Sequence, residues 1–92
     1  MSERKATIGS RVGLHARPAA IFAESAGKIS IEVTIAREGE PEDDAMDASS
    51  ILALMSLGAS HGDVVVLRAE GDGAEEALDS LAALLETDLD AD

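Results

Sequence analysis

The apolar residues of this chain change their spacing from one segment to the next, and that change of period restricts the fold more than any other feature. Ile29-Ser30-Ile31-Glu32-Val33-Thr34-Ile35 alternates strictly, the pattern of a strand with one buried face. Arg4-Lys5-Ala6-Thr7-Ile8 alternates in the same way near the N-terminus. Between them, Ala19, Phe22, Ala23 and Ala26 recur at helical intervals, so one stripe of a helix from Ala16 to Ala26 can cover the sheet that the flanking strands begin. Gly27 is placed to stop that helix.

Further along, Glu38-Gly39-Glu40-Pro41-Glu42-Asp43-Asp44 combines turn formers with crowded carboxylates and reads as a solvated loop. A short return strand is expected over Ala45 to Asp47. Ser50 to Leu57 is a helix of about two turns, with Asp47 or Ser49 placed to cap it and Gly58 to end it. Asp63-Val64-Val65-Val66-Leu67-Arg68-Ala69 is a β-branched run of strand length, and it reads as the last strand. Asp72 precedes Glu75 by three positions in the manner of a capping box, and Ala74, Ala77, Leu78, Leu81 and Leu85 continue at helical spacing. The residues from Thr87 to Asp92 form an acidic tail expected to fray. These segments predict an α+β domain over residues 1–92 in the order βαββαβα: a four-stranded antiparallel sheet with three helices on one face.

Composition narrows the function. The 92 residues carry 7 basic and 19 acidic side chains, a net charge of −12 that repels nucleic-acid phosphates and anionic lipid headgroups. Phe22 is the only aromatic residue, so stacking platforms for bases are missing too. The absence of cysteine rules out a disulfide framework and thiolate chemistry. No apolar run approaches the roughly 18 residues that span a bilayer, and Met1-Ser2-Glu3-Arg4-Lys5 does not lead into the core of a signal peptide. A soluble, cytoplasmic, monomeric protein is expected, one that needs no cofactor and no metal. His61, in the turn Ser60-His61-Gly62-Asp63, has no companion ligand cluster and reads as a surface residue. Two lysines against nineteen carboxylates resemble the balance of proteins from a salt-rich cytoplasm, where self-repulsion is screened.

Chemistry concentrates in Gly13-Leu14-His15-Ala16-Arg17-Pro18-Ala19-Ala20. This stretch puts an imidazole just before a helix whose first turn holds a guanidinium and a proline. The first backbone N–H groups of a helix lack intrahelical acceptors and carry the positive end of its dipole, which favours an anion in front of them. Pro18 sacrifices no helical hydrogen bond there. The amides of Ala16 and Arg17 and the Arg17 side chain can then hold a phosphoryl group bonded to His15. Histidine keeps a neutral, nucleophilic ring nitrogen near neutral pH, and its P–N bond retains high transfer potential. Leu14, Ala16 and Ala20 leave a small, unhindered surround. In the second helix, Leu54 and Leu57 share one face while Ile51, Leu52 and Met55 occupy another, so one apolar face is left for docking.

Gly-Leu-His-Ala-Arg-Pro-Ala and Ser50-Ile51-Leu52-Ala53-Leu54-Met55-Ser56-Leu57-Gly58 closely resemble the two signature blocks of the HPr family, histidine-containing phosphocarriers of the phosphoenolpyruvate-dependent sugar phosphotransferase system. The resemblance covers nearly the whole chain and weakens between Gly39 and Asp47. It implies an open-faced β-sandwich. It also implies that His15 accepts a phosphoryl group on Nδ1 from phosphorylated Enzyme I and passes it to a sugar-specific A component. Partner contacts are then expected on Ala16, Ala20, Ile51, Leu52 and Met55. Ser50 matches a position that a dedicated serine kinase phosphorylates in some members, although Ser49 stands where a basic residue is common; the alternative for Ser50 is a capping hydroxyl.

The chain departs from the family elsewhere. Val12 replaces a small polar residue, and Glu24 and Ala53 stand where lysine is frequent. The resemblance implies an acidic partner surface, so either electrostatic steering is weaker here or the partner has changed in step. Two other readings compete: a paralogous or regulatory carrier serving a nitrogen-type or dihydroxyacetone-linked chain, and a histidine phosphatase acting through His15. The second lacks a general acid beside the motif and room for an enclosing pocket. A carrier that is consumed and regenerated fits better than a turnover enzyme on a free metabolite.

Overall fold

Both alternating segments contribute a strand to one sheet, the second only from Val33 onward. A computed structural model describes residues 2–11, 13–14 and 16–87, leaving out the side chains of residues 16 and 42. The chain runs β1 (Ser2–Thr7), α1 (Ala16–Gly27), β2 (Val33–Arg37), β3 (Met46–Asp47), α2 (Ile51–Leu57), β4 (Val64–Ala69) and α3 (Ala74–Glu86), with a short 3-10 turn at Glu42–Asp44. The strands lie antiparallel in the order β1-β4-β2-β3. On β4, Val65 faces Ala6 of β1, and Leu67 lies between Arg4 of β1 and Ile35 of β2.

Successive strand side chains point to opposite faces. Ala6, Val33, Ile35, Val65, Leu67 and Ala69 therefore share one face, where they join residues from all three helices, among them Phe22, Leu54 and Leu78, in one buried cluster. The other face carries Glu3, Lys5, Thr34 and Arg68. Ala36 and Val66 are buried on that side, outside the cluster. Arg68 Nε lies 3.0 Å from Glu3 and Lys5 Nζ 3.1 Å from Glu38, so ion pairs rather than a packed layer cover this surface. The architecture is the open-faced sandwich.

Several boundaries differ from the sequence reading. Residues 29–32 are not part of β2, because β4 ends at Ala69, the partner of Val33, and no strand lies beyond it to pair with them. Ile29 and Ile31 stay partly buried against the core from an irregular segment. Gly27 is the last residue of α1 rather than a residue beyond it. Neither Asp47 nor Ser49 caps α2. Ser50, with extended backbone, is the cap, and its Oγ accepts from the Ala53 N–H at 3.2 Å. Gly58 ends that helix in the left-handed conformation, φ 70°. At α3 no capping box joins Asp72 to Glu75. Gly73 takes the cap position at φ 83°, a conformation that suits glycine, and its carbonyl accepts from Ala77 N–H. Glu75 and Glu76 still fall in the first turn, where the helix dipole favours them.

Candidate functional site

The segment leading into α1 is held at both sides by main-chain hydrogen bonds. Ile8 N–H donates to Asp63 O at 2.8 Å, and Gly62 N–H donates to Ile8 O at 2.9 Å. Gly9 N–H reaches Leu85 O near the end of α3 at 2.9 Å, and the Ser10 hydroxyl donates to Thr87 O at 3.4 Å. Gly13 N–H closes a turn onto Ser10 O, and Leu14 N–H donates to Ala59 O, both at 2.9 Å. Two glycines make this possible. A Cβ on Gly9 would collide with the Glu86 carbonyl, and one on Gly13 (φ 75°) would lie 2.6 Å from Ala59 O. This clamp was not read from the sequence; the paired glycines flanking Ser10 are its only local signature.

The clamp delivers the chain to the start of α1. His15 lies outside the described residues, as do Val12 and the Ala16 side chain, so their assigned roles remain sequence expectations. Leu14 is 2% exposed and belongs to the core, which corrects its reading as part of an open surround. It anchors the motif from below. Pro18 and Ala19 are buried, Ala20 is half-buried, and Arg17 points outward. Among the described residues, no hydrogen bond or ion pair engages the Arg17 guanidinium. By contrast Arg4, Lys5, Lys28, Arg37 and Arg68 each lie against a carboxylate, Lys28 Nζ sitting 3.2 Å from Glu24 at the end of α1.

α2 packs against α1 and β3. Leu54 and Leu57 are buried, whereas Ile51 is 44%, Leu52 78% and Met55 36% exposed, the three large apolar side chains exposed among the described residues. The division of that helix into an inner and an outer apolar face therefore holds. Ahead of it, Asp47 Oδ1 accepts from the Ser49 hydroxyl at 2.7 Å and the Ser49 amide at 2.9 Å. Both bonds hold the Asp47 carboxyl below its usual pKa, the hydroxyl contributing most. His61 is exposed on the turn between α2 and β4. A surface hollow formed by residues 26–27 and 29–33 with Asp47 and Ser49 lies at the C-terminal end of α1, the end away from Arg17.

Comparison with known proteins decides the family. The model for the "PTS HPr component phosphorylation site" matches residues 2–87. The chain belongs to the HPr family. It is 47% identical to the phosphocarrier protein HPr of Haloferax volcanii over 92% of this chain and 93% of that protein. The crystal structure of HPr-C-His from Thermoanaerobacter tengcongensis superimposes with a TM-score of 0.83 at 41% identity, covering 100% of this chain and 99% of that one. A second structure from that organism, described as an HPr dimer, gives a TM-score of 0.68 at 42% identity over 99% and 100% of the two chains. As an HPr-family chain it is a phosphocarrier component of the phosphotransferase system, and no helix among its described residues is long and apolar enough to cross a membrane.

Proposed function

We propose that this chain relays a phosphoryl group: His15 receives it on Nδ1 from phosphorylated Enzyme I and gives it to a sugar-specific A component. The observation that carries this reading is Arg17, exposed and without a partner among the described residues, in the first turn of the helix that follows the motif histidine. In the transfer, the Nδ1 lone pair forms a bond to phosphorus while the donor's bond to phosphorus breaks and its electron pair leaves with the donor. Onward transfer repeats the exchange with the acceptor as nucleophile. Such steps need positioning and charge neutralisation above all. The free amides that open α1 and the Arg17 guanidinium supply both.

Docking falls to Ala16, Ala20, Ile51, Leu52 and Met55, and one cytoplasmic copy of the chain suffices. Ser50 keeps a second role as an acceptor of regulatory phosphate, which at a helix start meets a favourable dipole. The test is incubation with phosphoenolpyruvate and each candidate Enzyme I of the host, followed by measurement of acid-labile phosphate. The wild-type chain is expected to take up one label from one of them, and His15→Ala none while keeping its circular dichroism. Label retained by His15→Ala would refute the assignment. Charging only by a nitrogen-type Enzyme I would move the chain to that pathway.

A further inference from the structure

The last carbonyls of a helix find no donor within it and must be met from outside. At the end of α3 they can be followed one by one. The Ala83 carbonyl accepts from the Thr87 hydroxyl at 3.0 Å, and that of Leu84 from the Thr87 N–H at 3.2 Å. The next donors come from the opposite end of the chain: Gly9 N–H reaches the Leu85 carbonyl at 2.9 Å, and the Ser10 hydroxyl reaches the Thr87 carbonyl at 3.4 Å. Glu86 adds a bond of its own, its Oε2 accepting from the Thr7 N–H at 3.4 Å. Gly9 approaches this closely only because a Cβ, which would overlap the Glu86 carbonyl, is missing. The segment that follows β1 therefore closes the end of α3, and α3 in turn holds that segment. Within it, Ser10 is 2% exposed, the one buried polar side chain among the described residues.

Ser10 is bonded in two directions. Its side chain is tied to α3, and its carbonyl accepts from the Gly13 N–H at 2.9 Å, closing the turn whose next residue, Leu14, is fixed on the Ala59 carbonyl. From this we infer that Ser10 is a positioning residue of the phosphoryl relay, anchoring the turn ahead of His15 to the C-terminal turn of α3. The inference rests on the relay reading above and adds a residue behind that same site. Burying a hydroxyl costs free energy that an alanine in the same space would not, so packing alone does not call for serine here. What the hydroxyl adds is a directional bond. Gly9 and Gly13 flank it, and glycine restrains the backbone least, so a side-chain tether between them holds the turn where the main chain does so poorly. Phosphoryl transfer depends mainly on placement of the reacting groups, and a small misplacement is felt in the rate.

Ser10→Ala removes the hydroxyl without adding bulk. The phosphorylated Enzyme I that charges the wild type is mixed with each chain over a range of donor concentrations, and label on the chain is followed by rapid quench. The maximal rate is expected to fall about three- to tenfold in the variant, while the half-saturating donor concentration stays within about twofold, because the docking side chains are untouched. Amide hydrogen exchange supplies a second readout: Gly13 and Leu14 are expected to exchange about tenfold faster, and the amides of β4 to change by no more than the global stability does. An unchanged maximal rate, or one that falls only in step with the folded fraction, would make Ser10 a structural residue and overturn the inference. A change confined to the half-saturating concentration would assign it to docking and do the same. A slower rate with the Gly13 and Leu14 amides unmoved would set the hydroxyl against the reacting group instead of behind it, which equally overturns the positioning role. Wild-type labelling, measured in parallel, separates the two levels. If the label appears and any of these outcomes follows, this inference alone falls; if no Enzyme I charges the chain, the relay reading falls and takes the inference with it.

Discussion

Gly13 sets where the reactive segment can lie. Its φ of 75° is left-handed, and the space for a side chain is already filled by the Ala59 carbonyl and by Ser60 Cα at 3.0 Å. Any side chain there meets both backbone strain and a collision with main chain that cannot rotate away. Gly13→Ala is therefore expected to cost about 1–3 kcal/mol of stability. It should also slow phosphoryl uptake, because relief of the collision moves Leu14 off Ala59 O and shifts the entry into α1. Chemical denaturation and a labelling time course measure the two effects. A variant with wild-type stability and rate would show that the clamp does not position the site. Leu14 illustrates how far single residues were legible. Its neighbours in the motif pointed to surface chemistry, whereas its burial follows from a long-range bond to Ala59, which no local pattern contains.

At the scale of elements, α2 divides cleanly between support and exposure, and the two faces predict opposite phenotypes. Leu54 is fully buried, so Leu54→Ala removes packed methyl groups and is expected to cost about 2–5 kcal/mol. Leu52 is 78% exposed, and Leu52→Ala should leave stability within about 0.5 kcal/mol of wild type. Thermal melts and initial rates of transfer from the charged donor distinguish them: the first variant melts early, and the second folds normally but accepts phosphate slowly at limiting donor. Loss of stability in Leu52→Ala would place that side chain in the core. This helix was legible because seven residues contain two incompatible apolar faces, and a two-turn helix cannot bury both. The extra strand length at Ile29–Ile31 and the capping box at Asp72 were not legible. The first depends on where β4, some thirty-five residues away, stops offering partners, and the second on a left-handed glycine displacing the cap by one position. Alternation and cap chemistry report local preference; pairing partners and turn geometry decide between equally good local options.

For the whole molecule, the central question is how a sheet with one open face tolerates a net charge of −12. The seven cations cannot neutralise nineteen carboxylates, and several of them are already used. Arg4 lies on Asp79 at 2.6 Å between β1 and α3, Arg68 on Glu3 and Lys5 on Glu38 across the open face, and Arg37 on Asp63. Most of these pairs are exposed and each contributes about 0–1 kcal/mol, so they tie elements together without cancelling the wider repulsion. Salt acts on the two contributions with opposite signs. It weakens the few attractive pairs, but it screens the many unpaired carboxylates, and the Debye length falls from about 10 Å at 0.1 M to about 3 Å at 1 M. Because like charges outnumber opposite ones, screening of repulsion dominates, and apolar burial is not lost in concentrated salt. The melting temperature is therefore expected to rise by several degrees, about 4–8 °C for each kcal/mol gained in a domain of this size, between low and molar KCl. Differential scanning calorimetry in KCl, with equimolar NaCl as a control for ion identity, measures it. A melting temperature that stays flat or falls would mean that these ion pairs, rather than the carboxylate excess, govern the electrostatics of the fold.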